Sequence, residues 1–427
     1  MLAILIPKHF GPHLKKSRGY HLFNTAINIA GHCRYKSSSE FLVWSQKPFA
    51  LNPSPYTLFM LYKRMPIEKE SPEEIGYSSV LYNLAESSVA DLRFGDLNLS
   101  LDQLKLEYVA HRGHSGLRKL LAAEADVAHD SVLLTQGAAA ALFIVNTTLL
   151  NKEDHLVVIR PNYATNIEVP VTIGCSISYI DLVFEKNWRV DMQAVEAAIQ
   201  GNTKLISITS PHNPTGMLMT ADELNQLAAI AAKNNTRLLV DETYRDTCFK
   251  TTYPVQAGLH KNIISVSSLS KAFGLPGLRI GWIITQDQQL LETFLAAKEM
   301  IHISNSALDE EVAWQFYLQK EKFAVTINQH TMQNYTMLCA WLQKETRLEC
   351  VLPGGGVVCF PRFKKELHID TKKFYQLLLQ QYKTMVGPGH WFSMPDEYMR
   401  IGFGWTDTAT FTAGLENISR AIDACMA

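Results

Sequence analysis

The chain has 427 residues, of which 47% are hydrophobic and 19% are charged, and its formal net charge is −1. This length is enough for a large core and more than one domain. The charge balance excludes the basic excess typical of nucleic-acid-binding proteins, and no apolar run reaches the roughly 18 residues of a membrane-spanning helix. The seven scattered cysteines form no CxxC pair, so we predict neither a zinc site nor a disulfide framework, and a cytoplasmic location.

The first 39 residues are basic, with six lysines and arginines and no acid before Glu40. A targeting peptide fits this composition, but no clear small-residue cleavage site follows the short apolar opening. We therefore favour a poorly ordered extension over residues 1–49, or a start codon placed too far upstream, over a targeting segment.

From about Val132, short apolar runs alternate with helical patterns. The predicted strands cover 132–134, 155–159, 176–180, 205–208, 238–240, 263–266 and 280–284, and the predicted helices cover 138–150, 192–199 and 221–233. Short continuous apolar strands separated by helices predict an α/β fold with a mainly parallel sheet that is covered on both faces. Such sheets bind ligands at the carboxyl ends of their strands.

After about Asp287 the pattern changes to long helices, with two short strands around 354–356. The predicted helices cover 288–300, 308–318, 332–344, 371–382 and 408–425. We interpret this part as a smaller α+β unit. The predicted domains are therefore a large domain over 96–300 and a small domain over 301–427. We expect the N-terminal segment 50–95 to join the small domain.

Lys271 follows a predicted strand and opens a glycine-rich turn. A lysine amine condenses with an aldehyde to form a Schiff base. The hydroxyls of Ser268 and Ser270, with Arg279 eight positions beyond the lysine, form a set that holds phosphate. An aldehyde and a phosphate on one small molecule describe pyridoxal phosphate. A lone lysine after a strand is more often a solvated surface residue, so Lys271 does not decide the matter alone.

Further polar residues follow other predicted strands. Asp241 directly follows the run 238–240. Its carboxylate beside a pyridine nitrogen would keep that nitrogen protonated, although a role as a helix N-cap explains the residue equally well. Tyr244, three positions on, is spaced to reach the ring hydroxyl. Asn213 lies in an Asn-Pro-Thr-Gly sequence. Its side-chain amide is either a donor to the phenolic oxygen of the cofactor or part of a plain tight turn. His212 is interpreted as a neighbour rather than a catalyst.

Three more segments carry candidate ligands. The run Gly137-Ala138-Ala139 opens a helix whose free N–H groups suit a phosphate, and the later alanines also suit a close-packed core helix. Tyr163 ends the next strand and is spaced to stack on a ring, although an exposed tyrosine is commoner there. Arg400 lies inside an apolar strand and needs an anionic partner, which is either a substrate carboxylate or a structural acid.

In this order the motifs resemble those of the fold-type I pyridoxal-phosphate enzymes, specifically the class I/II aminotransferases, over roughly residues 80–425. The resemblance implies an aspartate aminotransferase-like fold with a mainly parallel seven-stranded sheet, and pyridoxal 5′-phosphate as cofactor. It implies Lys271 as the Schiff-base lysine that shuttles the α-proton, Asp241 as the partner of the pyridinium nitrogen and Tyr244 as a ligand of the ring hydroxyl. The further cofactor-binding residues that it implies are Gly137, Ala138, Ala139, Tyr163, Asn213, Ser268, Ser270 and Arg279. It assigns the substrate α-carboxylate to Arg400, with Asn213 beside it.

Tyr108 precedes Gly113 and the stretch 116–118, as in the family segment whose tyrosine reaches the phosphate of the neighbouring subunit. The resemblance therefore implies a homodimer with shared active sites. It implies an amino acid and a 2-oxo acid as the small-molecule partners, and no nucleic acid, membrane or metal.

Within the family, the segments 270–279, 354–363 and 399–403 most resemble the capreomycidine synthase-like branch, which includes β-elimination and replacement enzymes. We predict an aminotransferase, with a lyase or cyclase on the same scaffold as the alternative. A regulatory module fused to a DNA-binding domain is disfavoured by the short N-terminal segment.

The chain also departs from the family pattern. Gly137-Ala138-Ala139 lacks the serine or threonine hydroxyl of many relatives, which predicts a phosphate ligand from the backbone alone. The loop 83–91 lacks the usual glycine-containing gate, and no second arginine for a dicarboxylic substrate is evident.

Overall fold

The structure is a computed structural model that describes residues 62–250 and 252–426. The predicted extension over 1–49 lies outside the described residues, as does the first part of the predicted segment 50–95. In the described ranges, no helix is both long enough and apolar enough to cross a membrane.

Helices and strands alternate along most of the described chain. The helices are α1 (Pro66–Glu70), α2 (Pro72–Ile75), α3 (Ser115–Ala125), α4 (Gly137–Leu149), α5 (Thr165–Ile173), α6 (Met192–Ala198), α7 (Ala221–Lys233), α8 (Gln256–Leu259), α9 (Gln288–His302), α10 (Ala307–Tyr317), α11 (Lys320–Lys344), α12 (Thr371–Gln380) and α13 (Thr408–Met426). The strands are β1 (Tyr82–Asn83), β2 (Val132–Thr135), β3 (His155–Arg160), β4 (Ser176–Asp181), β5 (Thr203–Thr209), β6 (Arg237–Asp241), β7 (Ile263–Ser268), β8 (Gly281–Ile284), β9 (Leu348–Glu349), β10 (Val358–Cys359), β11 (Arg362–Phe363), β12 (Thr384–Met385), β13 (Gly387–Pro388) and β14 (Met399–Gly402).

A seven-stranded sheet in the order β2-β8-β7-β6-β5-β3-β4 forms the centre of the molecule. Its strands run parallel except β8, which is antiparallel to both β2 and β7. Val157 and Ile159 of β3 enter one apolar cluster, and Leu156 and Val158 enter another, because successive side chains of a strand point to opposite faces. The sheet is therefore buried on both sides, and the predicted α/β fold with a mainly parallel seven-stranded sheet is confirmed.

A separate apolar cluster lies among the C-terminal helices and short strands. It includes Leu338 of α11, Phe374 of α12 and Phe411 of α13. Strand β1 pairs in parallel with β12, so the chain before the large sheet adds a strand to this C-terminal part. The boundaries at residues 96 and 301 stay predictions, and the β1–β12 pairing supports our proposal that the segment 50–95 joins the small domain.

The predicted elements differ from the observed ones mainly in the helices. Helix α11 begins at Lys320, twelve residues before the predicted start at 332, and it buries only Thr331, Asn334 and Leu338. A long helix with so few buried positions carries little apolar periodicity at its exposed start. Helices α3 and α5 were not predicted: α3 is capped by the unusual N-cap residue His114, and α5 contains Pro170.

Candidate active site

A cavity of about 620 Å³ lies at the carboxyl ends of β5, β6 and β7. Strands that end at the same edge of a parallel sheet bring together residues that are far apart in sequence. The predicted site residues that line this cavity are Ala138, Ala139, Tyr163, Asn213, Asp241, Tyr244, Ser268, Ser270, Lys271, Arg279 and Arg400. Gly137 adjoins the cavity through Arg279, and only Tyr108 lies elsewhere.

One end of the cavity is built from the start of α4 and the guanidinium of Arg279. Gly137 has a φ of +78°, and a Cβ at this residue would lie 2.7 Å from Nη2 of Arg279. A Cβ at Gly281 would lie 2.5 Å from the carbonyl carbon of Gly137 and 2.7 Å from the nitrogen of Ala138. The two glycines thus let β8 and Arg279 approach the helix N-terminus closely, and free N–H groups beside a guanidinium form a site for an anion.

The buried carboxylate of Asp241 lies at the end of β6. Its Oδ1 accepts hydrogen bonds from the backbone nitrogen of Thr243 at 3.1 Å and from the Thr243 hydroxyl at 2.6 Å. Burial raises the pKa of Asp241, and the bonds from Thr243 oppose that rise. The next helical turn, at Arg245–Thr247, has Tyr244 as its N-cap residue, so Asp241 is not a helix N-cap.

Arg400 reaches the cavity from β14. Its Nη1 donates to Oδ1 of Asn213 at 3.1 Å, and its Nη2 donates to the carbonyl oxygen of Ala85 at 2.6 Å. Its buried Nε has no hydrogen-bond partner within the described residues, and no hydrogen-bonded carboxylate accompanies it there. A structural acid therefore does not explain this arginine, which is held by neutral oxygens and keeps hydrogen-bonding capacity for an anion.

The amine of Lys271 lies 3.0 Å from Oε1 of Glu86. The same oxygen accepts a hydrogen bond from the backbone nitrogen of Ser87 at 2.8 Å. Burial opposes both charges, but the mutual attraction outweighs it: the pKa of Lys271 is raised above its ordinary value, and that of Glu86 is lowered to about 2. This region therefore holds a paired ammonium and carboxylate.

The chain matches the family model described as aminotransferase class I and II over residues 93–418. It belongs to this family. It is 28% identical over 341 residues to capreomycidine synthase of Streptomyces vinaceus, which covers 77% of this chain and 86% of that relative. It is 30% identical over 356 residues to nicotianamine aminotransferase 1 of Oryza sativa subsp. japonica, which covers 78% of this chain and 70% of the relative.

A solved structure of a PLP-dependent aminotransferase from Streptococcus suis has a similar fold. The TM-score is 0.77 at 25% identity, and the match covers 82% of this chain and 96% of that chain. The recognition of the family is confirmed, and the chain is a pyridoxal-phosphate-dependent member of it. The cavity fits this cofactor chemically, because it combines an anion site at the start of α4, a buried carboxylate on Asp241 and the amine of Lys271.

The side of the cavity that faces the sheet ends comes from the N-terminal segment, which the motifs did not reveal. Arg64, Glu68, Glu73 and Glu74 of this segment line it. Helices α1 and α2 have only five and four residues, too few to show a periodic pattern. Glu86 also lies here and was missed as a site residue, although an acid directly after the apolar pair Leu84-Ala85 was the available signal.

Two contacts attach the N-terminal segment in different ways. Glu70 of α1 accepts hydrogen bonds from Nε2 of His390 and from the indole nitrogen of Trp391, both at 2.8 Å. The loop 84–92 is bonded to the Lys271 segment through its backbone, where the nitrogen of Val89 donates to the carbonyl oxygen of Lys271 at 3.0 Å. Side-chain hydrogen bonds therefore hold α1, and main-chain hydrogen bonds hold the loop 84–92.

Two residues that the sequence analysis singled out, Tyr108 and His212, do not line this cavity. Tyr108 is 83% exposed and lines a second cavity together with residues 299–308. His212 is buried and its Nδ1 is 2.8 Å from the Thr215 hydroxyl, and burial lowers its pKa to about 4. His212 therefore supports the turn that carries Asn213.

Proposed function

We propose that the protein is an aminotransferase that moves an amino group from an amino acid to a 2-oxo acid. The observation that carries the proposal is the meeting, in one cavity, of the amine of Lys271, the carboxylate of Asp241 and the guanidinium of Arg400. An amine for an aldehyde, a carboxylate for a pyridinium and a guanidinium for an α-carboxylate are the three groups that the reaction requires.

The cofactor-binding roles follow from the same geometry. The start of α4 (Gly137, Ala138, Ala139), with Ser268, Ser270 and Arg279, would hold the phosphate. Tyr163 would contact the ring, and Asn213 and Tyr244 would hold its hydroxyl oxygen. When bound, pyridoxal phosphate supplies an aldehyde that joins an amine and a ring that accepts the electron pair of the α-carbon.

The chain's own side chains supply binding and proton transfer. Asp241, fixed by Thr243, offers a carboxylate to a protonated ring nitrogen, and this cation compensates for the burial that otherwise disfavours its charge. Arg400 binds the α-carboxylate of the substrate and so directs the α-carbon toward Lys271. Lys271 would remove the proton from the α-carbon and would donate a proton on the other side of the substrate nitrogen, at the former aldehyde carbon.

A lyase or cyclase is the second candidate, and two observations favour it. The similarity to capreomycidine synthase is one of them. The other is Glu86, which pairs with Lys271 at 3.0 Å and favours the ammonium form of the amine. An ammonium group beside the substrate is a proton donor for a leaving group, which elimination needs and simple transamination does not.

A screen of the purified holoenzyme against single amino acids tests these alternatives. For an aminotransferase, we expect the visible absorbance to convert to that of the amine form of the cofactor, with release of one keto acid per site, and a 2-oxo acid should reverse the conversion. Release of an unsaturated or cyclised product without consumption of a 2-oxo acid would establish the second candidate instead.

Replacement of the lysine tests the assignment of Lys271 itself. Lys271→Ala should abolish both the visible absorbance of the bound cofactor and turnover, because no other amine lines the cavity among the described residues. Retained absorbance with full activity would contradict the assignment.

We also propose a cytoplasmic homodimer in which Tyr108 contacts the phosphate of the partner subunit. Tyr108 is 83% exposed beside the apolar side chains of Leu106 and Met300, which are 83% and 89% exposed. Exposed apolar side chains that lie together favour burial against another chain. Sedimentation analysis should give twice the mass of the chain, and Tyr108→Ala should lower cofactor affinity without changing that mass. A monomer with full activity would contradict this proposal.

A further inference from the structure

Glu86 is the strongest feature of the cavity that the proposed reaction does not use. Its side chain is 15% exposed, and one of its oxygens receives both the Lys271 ammonium at 3.0 Å and the Ser87 N–H at 2.8 Å. The backbone bond from Val89 to Lys271 holds the same loop against the lysine. The Glu86 carboxylate is therefore held by the next backbone N–H, and its loop is hydrogen-bonded to the backbone of Lys271.

Other charged and titratable groups also surround this pair. Arg400 of β14 disfavours the ammonium and favours the carboxylate, whereas Tyr244 favours the ammonium. Glu86 exerts the largest favourable effect on the Lys271 ammonium. Tyr77, Asp91 and Tyr163 also interact electrostatically with the pair. None of these three is hydrogen-bonded to Lys271 in the described part of the chain. The other charged residues that line the cavity within residues 62–250 and 252–426 are Arg64, Glu68, Glu73, Glu74, Asp241 and Arg279.

We propose that Glu86 is a positioning residue that, before the cofactor aldehyde is bound, holds the Lys271 side chain as an ammonium on the substrate side of the cavity. The proposal rests on the proposed role of Lys271 as the lysine that joins the cofactor aldehyde. We further propose that loss of a proton from the Lys271 ammonium limits the rate at which this lysine condenses with the aldehyde, which we call capture.

The capture step requires a neutral amine. The Lys271 ammonium first releases one proton to solvent, and its nitrogen lone pair then forms the new bond to the aldehyde carbon. The two hydrogens that remain on the nitrogen leave with the aldehyde oxygen as one water molecule, and no oxidant or reductant takes part. Below the pKa of the amine, the neutral fraction rises about tenfold per pH unit, so the capture rate should follow that rise.

The test mixes full-length protein, freed of cofactor, with pyridoxal phosphate and follows the visible absorbance at several pH values. For the wild type, we expect the rate to rise about tenfold per pH unit from about pH 7 to pH 9. Glu86→Gln should capture the cofactor at least about tenfold faster at pH 7.5 and reach its plateau at lower pH, because the amine loses its anionic partner. Glu86→Asp keeps the charge and should restore the wild-type pH dependence in part.

Asp91→Asn is the matched control. Asp91 lies on the same loop, but its carboxylate accepts a hydrogen bond from the Trp405 indole at 2.9 Å. Its capture rate should stay within about twofold of the wild type, because the amine's direct partner is unchanged. An Asp91→Asn variant that accelerates capture as much as Glu86→Gln would overturn the specific role of Glu86.

The two proposals fail in different ways. If Lys271→Ala keeps the visible absorbance, the proposed role of Lys271 is wrong. If Lys271→Ala loses that absorbance but Glu86→Gln captures the cofactor at the wild-type rate and with the wild-type pH dependence, the role of Glu86 is wrong and that of Lys271 stands.

A second measurement needs no variant and covers the case in which Glu86→Gln does not fold. Competitive acetylation of the cofactor-free wild type, read by mass spectrometry of the Lys271 peptide, reports the neutral fraction of this amine at each pH. We expect reactivity that still rises above about pH 9, as for an amine held in its charged form. A plateau near pH 8 would show that Glu86 does not hold the ammonium.

Discussion

The active-site cavity has two walls of different origin. One wall is formed by the ends of β5, β6 and β7 and the start of α4, and it carries Asp241, Lys271 and Arg279. The opposite wall is formed by α1, α2 and the loop 84–92, and it carries Glu68, Glu73 and Glu86 among others. Sequence motifs predicted the first wall residue by residue, and they missed the second.

The difference has a physical cause. A polar residue at the end of an apolar strand is conspicuous, because the strand before it is continuous and the burial of its charge needs a partner. The second wall consists of helices of four and five residues and an irregular loop, in which glutamates look like ordinary solvated residues. We propose that the first wall holds the cofactor and that the second faces the substrate, so the residues of cofactor chemistry are easier to recognise from the sequence than those of substrate choice.

Asp241→Asn is expected to have the largest effect among tests of the sheet wall. The amide keeps the size of the carboxylate and still accepts from Thr243, but it loses the charge that holds the ring nitrogen protonated. We expect kcat to fall by about 10²–10³-fold while the visible absorbance of the bound cofactor remains. A kcat within tenfold of the wild type would show that this carboxylate does not support the ring.

Arg400→Lys tests the guanidinium that lies between the two walls. A lysine cannot reach Asn213 and the Ala85 carbonyl together while it also binds a carboxylate in two places. We expect KM for the amino acid to rise by about 10–100-fold with kcat less affected. Arg362→Lys is the control, since Arg362 is bonded to Glu349 and does not line the cavity; its KM should stay at the wild-type value.

Gly281→Ala tests the close approach of β8 to the start of α4. The added Cβ would meet backbone atoms of Gly137 and Ala138 at 2.5 and 2.7 Å, so the start of α4 must shift. We expect cofactor affinity, measured by equilibrium titration, to fall at least about tenfold. Gly277→Ala is the matched control on the other side of Arg279, where no atom lies within 4 Å of the added carbon. Equal losses in both variants would remove the special role of Gly281.

Glu70→Gln tests the N-terminal wall and should have the smallest effect. Burial lowers the pKa of His390, but the carboxylates of Glu70 and Asp396 outweigh it, so that pKa is raised above 6.5. A raised folded-state pKa stabilises the protein fully below about pH 6.5, and this contribution is lost as pH rises through the folded-state value.

We therefore expect Glu70→Gln to lower Tm by about 1–2 °C at pH 6 and by less at pH 9, measured by thermal unfolding at both pH values. Glu74→Gln, which removes the partner of exposed Arg64, serves as the control and should show no such pH dependence. A larger loss at pH 9 than at pH 6 would contradict the attachment of α1 through His390.

The same contrast between regular and irregular segments holds for the prediction of the fold. The large sheet was predicted strand by strand, because its buried strands are apolar runs separated by amphipathic helices. Helix α11 was predicted too short and α3 and α5 were missed, because an exposed start, an unusual cap and an internal proline each remove the usual signal. Arg400 was predicted as a site residue, but its bonds to Asn213 and Ala85 join segments 187 and 315 residues apart, which a linear pattern does not show.

The backbone link between the loop 84–92 and the Lys271 segment has a consequence for engineering. Val89 and Leu92 bond main chain to main chain with Lys271 and Gly274, and these bonds do not depend on which side chains the loop carries. Randomised libraries at Ser87, which lines the cavity, can therefore alter substrate preference on a fixed frame. Insertions or deletions in the same stretch would move the reactive lysine itself, so length is the variable that directed evolution should leave unchanged there.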